Sequence, residues 1–171
     1  VWQPEDPRAS RMLNHALVSA RSGLDETRRA LQDLRAAPLD DLGLVLAIRH
    51  MAENVARRGG LSLNLDLPED LGNLPNDLEQ AFYRITQEAL TNIIQHAAAH
   101  SVSIRLSQTA KSLTLVVTDD GVGFDLEDAE QLNRFGLRGM RERAAVIGGA
   151  LSIVTSPDHG TEIRLSAGLS A

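Results

Sequence analysis

The amino-acid sequence predicts an α/β fold, in which an open sheet of about five strands has helices on one face and follows a long bundle-forming helix. Apolar and polar residues alternate in five short segments, as in half-buried strands. Segments with helical periodicity separate several of these strands. Because each strand is polar on one face, we expect helices on the opposite face only.

The first helix has a heptad pattern. Its seam positions recur in alternating steps of four and three residues: Leu13, Leu17, Ala20, Leu24, Thr27, Leu31 and Leu34. A repeat of 3.5 residues is typical of a helix that packs lengthwise against other helices. An ordinary amphipathic helix is the alternative. The helix should end before Pro38, because proline disfavours helical geometry in the residue ahead of it.

Two helices are predicted around the first strand. One begins near Asp40, a favourable N-cap, and ends at Gly59-Gly60. The other begins near Asn76, after a loop from Pro68 to Pro75. It places its apolar residues on one stripe: Leu78, Phe82, Ile85, Ala89 and Ile93.

The remaining elements are strands, turns and one short helix. The strands contain the alternating apolar residues Leu61 to Leu67, Val102 to Leu106, Leu113 to Val117, Leu151 with Ile153, and Ile163 with Leu165. Residues 121–138 contain glycines and acidic side chains and are predicted to form a mobile loop. A short helix should follow from Arg141 to Ile147.

Composition limits the possible functions. The 171 residues are 43% hydrophobic, which suits one compact domain with an appended element. A net charge of -6 and only 3% aromatic residues argue against nucleic-acid binding. The absence of cysteine excludes disulfides and thiolate chemistry. No apolar run is long enough to span a membrane. The chain starts at Val1 without a Met, so we expect a piece of a longer protein.

Asp119 is the first candidate site residue. It continues the apolar face of the strand that contains Leu113, Leu115 and Val117. A carboxylate that points into a core is costly unless something donates a hydrogen bond to it, so a polar group of the protein or of a ligand should lie there. Gly121 and Gly123 follow and would let a flat ligand approach the backbone. A plain Asp-Gly hairpin turn is the alternative.

Three polar residues on the helix from Asn76 form a second candidate group. Glu88, Asn92 and His96 are four residues apart and should lie along one side of the helix. Asn92 could give a neutral oxygen ligand to Mg²⁺, and Glu88 could hold or polarise a metal-bound water. Alternatively, Asn92 is a buried amide that caps a loop and Glu88 is a surface charge.

The glycine segments do not match the common ligand-binding loops. Residues 119–130 lack the glycine that a calcium-binding EF-hand needs at its sixth position. The glycine patterns of dinucleotide and P-loop phosphate sites are absent as well. Gly136 to Met140 stands at a predicted helix start, which favours anions. Gly160-Thr161 precedes the last strand and could be turn chemistry alone.

Taken together, these motifs resemble the ATP-binding boxes of sensor histidine kinases, in the same order along the chain. The sequences Gln87 to Asn92, Gly136 to Arg143 and Leu34 to Leu44 are similar to the kinases that partner NarL-type response regulators. The resemblance covers about residues 25–166. It implies that residues 1–38 are the second helix of a dimerisation bundle. Residues 39–171 would be the catalytic domain, a Bergerat-type two-layer α/β sandwich with a mixed sheet.

The resemblance also implies the chemistry. The chain would use ATP and Mg²⁺ as a histidine kinase and transfer the γ-phosphoryl group to a histidine. Asp119 would bind the adenine amine, Asn92 the metal, and Glu88 the metal shell or a catalytic water, while residues 124–138 would form the ATP lid. The nucleotide-binding set would be Asn92, His96, Asp119, Gly121, Gly123, Gly136, Leu137, Gly139, Met140, Gly160 and Thr161.

The partners implied by the resemblance are a NarL-type response regulator and, in the full-length protein, a second copy of the chain. Nucleic acid is not among them. The location would be the cytoplasm, including the cytoplasmic part of a membrane-bound sensor.

The sequence departs from the family pattern at three places. Gln95 stands where a basic residue is usual, and Asn133-Arg134 replaces a glycine of the lid. The acceptor motif, a histidine followed by an acid, is missing, because His15 is followed by Ala16. We therefore expect a chain that does not phosphorylate itself. Two other functions stay open: a serine-directed kinase of the anti-sigma-factor type, and a non-catalytic dimerisation or scaffold module with a relic pocket.

Overall fold

The computed structural model describes residues 37–126 and 135–169. Their elements are, in order, α1 (Ala37–Gly59), β1 (Ser62–Asp66), α2 (Asn76–Asn92), a π-helical turn (Ile93–Ala97), β2 (Ser101–Gln108), β3 (Ser112–Asp119), α3 (Phe135–Val146), β4 (Ala150–Thr155) and β5 (Thr161–Gly168). None of the helices in these two ranges is long and apolar enough to cross a bilayer.

The chain divides into two compact units, Val1–Asp40 and Asp41–Ala171. The predicted heptad helix, Leu13 to Leu34, falls outside the described residues. Its role in a bundle therefore stays a prediction, as does the domain boundary at residue 38.

The five strands form one mixed sheet in the order β1-β2-β3-β5-β4. The pair β1 and β2 is parallel, and the other neighbouring pairs are antiparallel. This confirms the predicted five-stranded sheet. In the register, Asp119 at the end of β3 lies opposite Val102 on one side and Thr161 on the other. Three strand ends therefore meet around Asp119.

The core lies on one face of the sheet, as the alternation predicted. The buried strand residues are Val102, Ile104, Leu106, Leu113, Leu115, Val117, Ile163, Leu165 and Ala167. The predicted stripe of α2 is also buried, and Phe82 and Ile85 are fully so. Each such side chain contributes about 1.5–3 kcal/mol through its removal from water. The opposite face is polar, with an exposed ion pair of 2.7 Å between Arg105 and Asp66.

Helix α1 differs from its prediction at the N-terminal end. It begins at Ala37 rather than near Asp40. Pro38 lies in the first turn, where backbone N–H groups have no partner within the helix, so the N–H that proline lacks is not needed. The helix is then interrupted at Gly43, whose φ of 73° and ψ of 167° are accessible essentially to glycine alone. Its end at Gly59 is as predicted, and Gly60 has a positive φ.

Helix α3 is longer than predicted, and the loop before it is shorter. Residues 135–138 are helical, whereas the sequence predicted a loop through Arg138 and a helix from Arg141. Gly136 and Gly139 lower the intrinsic helix propensity of this stretch. Burial of Leu137, Met140 and Ala144 on one side of the helix compensates for it. Residues 127–134 of the predicted lid are outside the described part of the chain.

Candidate functional site

Asp119 is buried at the carboxyl end of β3, as predicted from the alternation of that strand. Only 8% of its surface is exposed. Burial raises the pKa of this carboxyl above its ordinary value of 3.8, and the neighbouring charge of Asp120 adds to the rise. A hydrogen bond of 2.9 Å from the Gly121 amide to Oδ1 acts in the opposite direction. The Gly121 amide is therefore one of the hydrogen-bond donors that we expected next to the buried Asp119 carboxylate.

The second carboxylate oxygen of Asp119 is available to a ligand. Among the residues that the structure describes, none donates a hydrogen bond to Oδ2. An acceptor to which no described protein group donates favours any ligand that brings an N–H or O–H donor, and disfavours one that does not. An exocyclic amine on a flat ring is one such donor.

Residues 120–123, here called the glycine loop, contact the π-helical turn after α2 on one side. The Val122 amide donates a hydrogen bond of 2.8 Å to the Ala97 carbonyl oxygen. A Cβ on Gly121 would overlap that same carbonyl oxygen and would lie 2.8 Å from Oδ1 of Asp119. Only glycine therefore fits between the helix end and the Asp119 carboxylate.

The position of His96 differs from its prediction. From Ile93 to Ala97 the chain is π-helical, with hydrogen bonds between residues i and i+5. His96 therefore does not follow Asn92 by one α-helical turn, as the prediction assumed. His96 is exposed, and no described residue forms a hydrogen bond or ion pair with it.

The other side of the glycine loop contacts the turn between β4 and β5. Gly123 has a φ of 58°, and a Cβ there would overlap the Ser156 carbonyl oxygen. Gly160 has a φ of 68°, and a Cβ there would overlap the Asp119 carbonyl oxygen. The Asp158 amide donates a hydrogen bond of 2.7 Å to the Val122 carbonyl oxygen. Gly160-Thr161 is therefore packed directly against the end of β3.

Thr155 joins the glycine loop to the turn between β4 and β5, although no role was predicted for it. Its Oγ1 accepts a hydrogen bond of 3.1 Å from the Phe124 amide and donates one of 3.0 Å to the Gly160 carbonyl oxygen. It also lies 3.2 Å from Oγ1 of Thr161. The only available signal was a polar residue at the end of the inward-facing series that begins with Leu151 and Ile153.

Glu88 and Asn92 meet at the start of α3. Both side chains are partly buried on α2. A Cβ on Gly136 would overlap Oε1 of Glu88 and would lie 3.8 Å from Nδ2 of Asn92. The two predicted metal-site residues and the first glycine of the Gly136 motif are thus brought together. Glu88 therefore packs against the start of α3, and its role at a metal stays a prediction.

The rest of the Gly136 motif serves mainly to pack α3. Met140 is fully buried and Leu137 is 8% exposed, so both belong to the core. A Cβ on Gly139 would lie 3.1 Å from Nη2 of Arg143. Arg138 forms an exposed ion pair of 2.7 Å with Glu142.

The donor set near Gly136 fits magnesium better than a transition metal. Within the described residues, no group of three or more His, Cys, Asp or Glu side chains could hold a metal. Mg²⁺ usually takes one or two protein oxygens and completes its shell with water and phosphate. The Asn92 amide oxygen and the Glu88 carboxylate are donors of that kind.

Comparison with known proteins agrees with this geometry. Residues 77–170 match the family of histidine kinase-, DNA gyrase B-, and HSP90-like ATPases. The chain is 35% identical over 146 residues to the signal transduction histidine-protein kinase/phosphatase DegS of Brevibacillus brevis, which covers 85% of this chain and 38% of DegS. It is 38% identical over 143 residues to UhpB of Salmonella typhimurium, which is also a signal transduction histidine-protein kinase/phosphatase. This match covers 83% of the present chain and 28% of UhpB. The chain therefore spans well under half the length of these relatives.

Solved structures support the fold. A histidine kinase domain of the blue-light activated kinase from Erythrobacter litoralis matches with a TM-score of 0.62 and 22% identity, over 72% of this chain and 64% of that one. The Acinetobacter baumannii histidine kinase AdeS matches with a TM-score of 0.62 and 16% identity, over 100% of this chain and 88% of that one. The family match over residues 77–170, more than half of the sequence, shows that the chain belongs to the family of histidine kinase-, DNA gyrase B-, and HSP90-like ATPases.

Proposed function

We propose that this chain binds Mg-ATP between α2, the glycine loop and the start of α3, and that it is the catalytic part of a sensor kinase that serves a NarL-type response regulator. The observation that carries the proposal is the buried Asp119 carboxylate, which has one oxygen bonded to Gly121 and the other without a described partner. Its Oδ2 accepts a hydrogen bond from the adenine amine. Gly121 and Gly123 let the loop after β3 pack against the carbonyl oxygens of Ala97 and Ser156, which holds this loop beside Asp119.

The phosphate end of the nucleotide lies toward Glu88 and Asn92 in this proposal. Mg²⁺, when bound with ATP, neutralises part of the phosphate charge. Asn92 would hold the metal through its amide oxygen, and Glu88 would accept a hydrogen bond from a water bound to the metal. The free amides at the start of α3, next to Gly136, attract the phosphates. Leu137 and Met140 keep that helix start in place by packing in the core.

The other residues of the predicted nucleotide-binding set do not bind the adenine amine or the metal in this proposal. Gly160 and Thr161 support the adenine side, since they pack against the main chain of Asp119. Gly139 leaves room for the guanidinium of Arg143. His96 is exposed on the π-helical turn after Asn92 and contacts a phosphate of the nucleotide in this proposal.

The reaction is transfer of the γ-phosphoryl group of ATP to a histidine. In such transfers the protein mainly positions the reactants and stabilises charge. No histidine of this sequence is followed by an acid, so we propose that the acceptor is in a segment other than residues 1–171. The heptad pattern of residues 13–34 and the identity to DegS and UhpB support a dimeric kinase of this type, working in the cytoplasm.

Calorimetric titration with Mg-ATP tests the pocket. We expect the wild type to bind, Asp119→Asn to lose at least about tenfold in affinity through the adenine contact, and Asn92→Ala to lose affinity only when Mg²⁺ is present. Asp66→Asn and Asn64→Ala, at exposed positions on β1, are the matched controls and should bind like the wild type. No binding by the wild type at millimolar ATP would contradict the proposal, and unchanged binding by Asp119→Asn would contradict the adenine assignment.

Radiolabelled ATP tests the acceptor assignment. We expect no stable phosphate on this chain alone, and slow labelling of an acceptor helix supplied separately. An acid-labile phosphate on His15 would overturn the statement that the acceptor lies elsewhere. Replacing His15 by Gln would then have to remove the label.

A further inference from the structure

Asp120 reaches from the glycine loop to the start of β2. Its Oδ1 accepts hydrogen bonds of 2.8 Å from the amides of His100 and Ser101. Its Oδ2 accepts a third hydrogen bond, of 2.9 Å, from Oγ of Ser101. One exposed carboxylate thus bonds to two consecutive residues that lie about twenty positions earlier in the chain.

These bonds form one of two links between the same pair of segments. The other is the hydrogen bond from the Val122 amide to the Ala97 carbonyl oxygen. Between the two links the chain turns sharply, since Ala98 has a φ of 48°, in the left-handed region. Residues 97–101 are therefore fastened to the glycine loop at both ends.

The fastened segment connects the two halves of the candidate site. Asn92 is the last residue of α2, and the π-helical turn from Ile93 to Ala97 follows it directly. Asp119 stands immediately before Asp120 at the end of β3. Any movement of residues 97–101 relative to the loop would therefore alter the separation between the Asn92 amide and the Asp119 carboxylate.

The two adjacent carboxyl groups have opposite environments. The amides of Ser101 and His100 and the Ser101 hydroxyl lower the pKa of Asp120 to about 2, so this group is charged at neutral pH. Hydrogen bonds to a charged acceptor are stronger than those between neutral groups. Asp119 is buried and its pKa is raised. Asp120 therefore acts as a fixed anion toward the protein, while Asp119 keeps an oxygen for a ligand.

We infer that Asp120 is a positioning residue for the nucleotide site, which sets the separation between Asp119 and Asn92 by bonding to His100 and Ser101. The inference rests on the proposed binding of Mg-ATP. A nucleotide that contacts Asp119 with its base and Asn92 through the metal must match this separation. If the separation fluctuates, binding must also order the site, and affinity falls.

The test compares nucleotide affinity with and without Mg²⁺ in the full 171-residue chain. The variants are Asp120→Ala, which removes all three bonds, and Asp120→Asn, whose amide oxygen can still accept both backbone bonds. Ser101→Ala removes only the hydroxyl bond. Asp66→Ala, which loses an exposed carboxylate on β1, is the matched control.

We expect Asp120→Ala to weaken Mg-ATP binding about tenfold or more and to weaken binding of ATP in EDTA much less. The ratio of the ATP affinity with Mg²⁺ to the ATP affinity in EDTA should therefore be smaller in Asp120→Ala than in the wild type. Asp120→Asn should stay within about threefold of the wild type, and Ser101→Ala should lie between them. A variant that is merely less folded would lose the same factor in both conditions, and its loss would follow its thermal midpoint.

Three results would overturn the inference. The first is Mg-ATP binding by Asp120→Ala that equals the wild type. The second is an equal loss with and without Mg²⁺. The third is an Asp120→Asn variant as weak as Asp120→Ala. If the wild type itself does not bind Mg-ATP, the proposed function fails, and the inference fails with it; this result is distinct because it appears before any variant is tested.

Discussion

The Val122 amide and the Ala97 carbonyl oxygen are joined by a hydrogen bond of 2.8 Å, which fixes the glycine loop after β3 against the π-helical turn after α2. Gly121 lies between these groups, with no space for a side chain. The Asp119 carboxylate is on the other side of Gly121, bonded to its amide. The position of the buried carboxylate thus depends on the close approach of two main-chain segments.

Replacing Gly121 by Ala should therefore damage both the fold and nucleotide binding. The added methyl group would overlap the Ala97 carbonyl oxygen, which is main chain and cannot rotate away. We expect a loss of about 1–3 kcal/mol in the free energy of unfolding, measured with urea, and Mg-ATP affinity too weak for calorimetry. Gly168→Ala is the control, because its nearest atom is 4.0 Å away. If Gly121→Ala has the same free energy of unfolding and the same Mg-ATP affinity as Gly168→Ala, the contact between Gly121 and the Ala97 carbonyl oxygen is not rigid.

Gly136→Ala should separate catalysis from stability. Its methyl group would overlap the end of the Glu88 side chain, which is flexible and can move. We expect the free energy of unfolding to change by less than about 1 kcal/mol, since alanine also favours the helix. Phosphoryl transfer to a supplied acceptor helix should fall, because Glu88 is displaced. Adding Glu88→Ala supplies the control: the two changes together should cost no more than Glu88→Ala alone. Additive losses would indicate that Gly136 acts independently of Glu88.

Thr155→Val should weaken the link between the glycine loop and the turn before β5. The Phe124 amide and the Gly160 carbonyl oxygen would both lose their hydrogen bond to Thr155. We expect a loss of about 1–2 kcal/mol in the free energy of unfolding, together with weaker Mg-ATP binding. Thr155→Ser keeps the hydroxyl and should restore most of both quantities. An equal loss in the serine variant would mean that packing of the methyl group, and not the hydroxyl, is responsible.

Much of the fold could be predicted from the sequence because each strand has one buried and one exposed face. The alternation of Leu113, Leu115 and Val117 gave the position of β3 and also the burial of Asp119. The start of α3 could not be predicted in the same way. Gly136 and Gly139 have low helix propensity, and the burial that compensates for it depends on contact with distant elements.

The predicted site was incomplete for a related reason. Residue types and spacing pointed to Glu88, Asn92 and Asp119 as candidate site residues. The prediction for His96 also required a continuous α-helix after Asn92, and the π-helical turn interrupts that helix. Thr155 and Asp120 act through hydrogen bonds to main-chain groups far away in the sequence. Such bonds leave no periodic pattern, so only the three-dimensional structure indicates them.

Asp119→Asn should remove adenine binding and yet stabilise the folded chain at neutral pH. Burial raises the pKa of Asp119 above 3.8, so its charged form is less favourable in the folded than in the unfolded chain. The stability that the protonated group provides is full below pH 3.8 and is lost as the pH rises through the raised pKa. Asparagine carries no charge and can still accept the hydrogen bond from the Gly121 amide, so the urea midpoint of the variant should rise above that of the wild type as the pH increases from 3.8 through the raised pKa of Asp119. Asp120→Asn should do the opposite: its pKa is lowered to about 2, so the variant should be less stable than the wild type above pH 3.8. If both variants shift the midpoint in the same direction at neutral pH, the contrast between the two carboxyl groups is wrong.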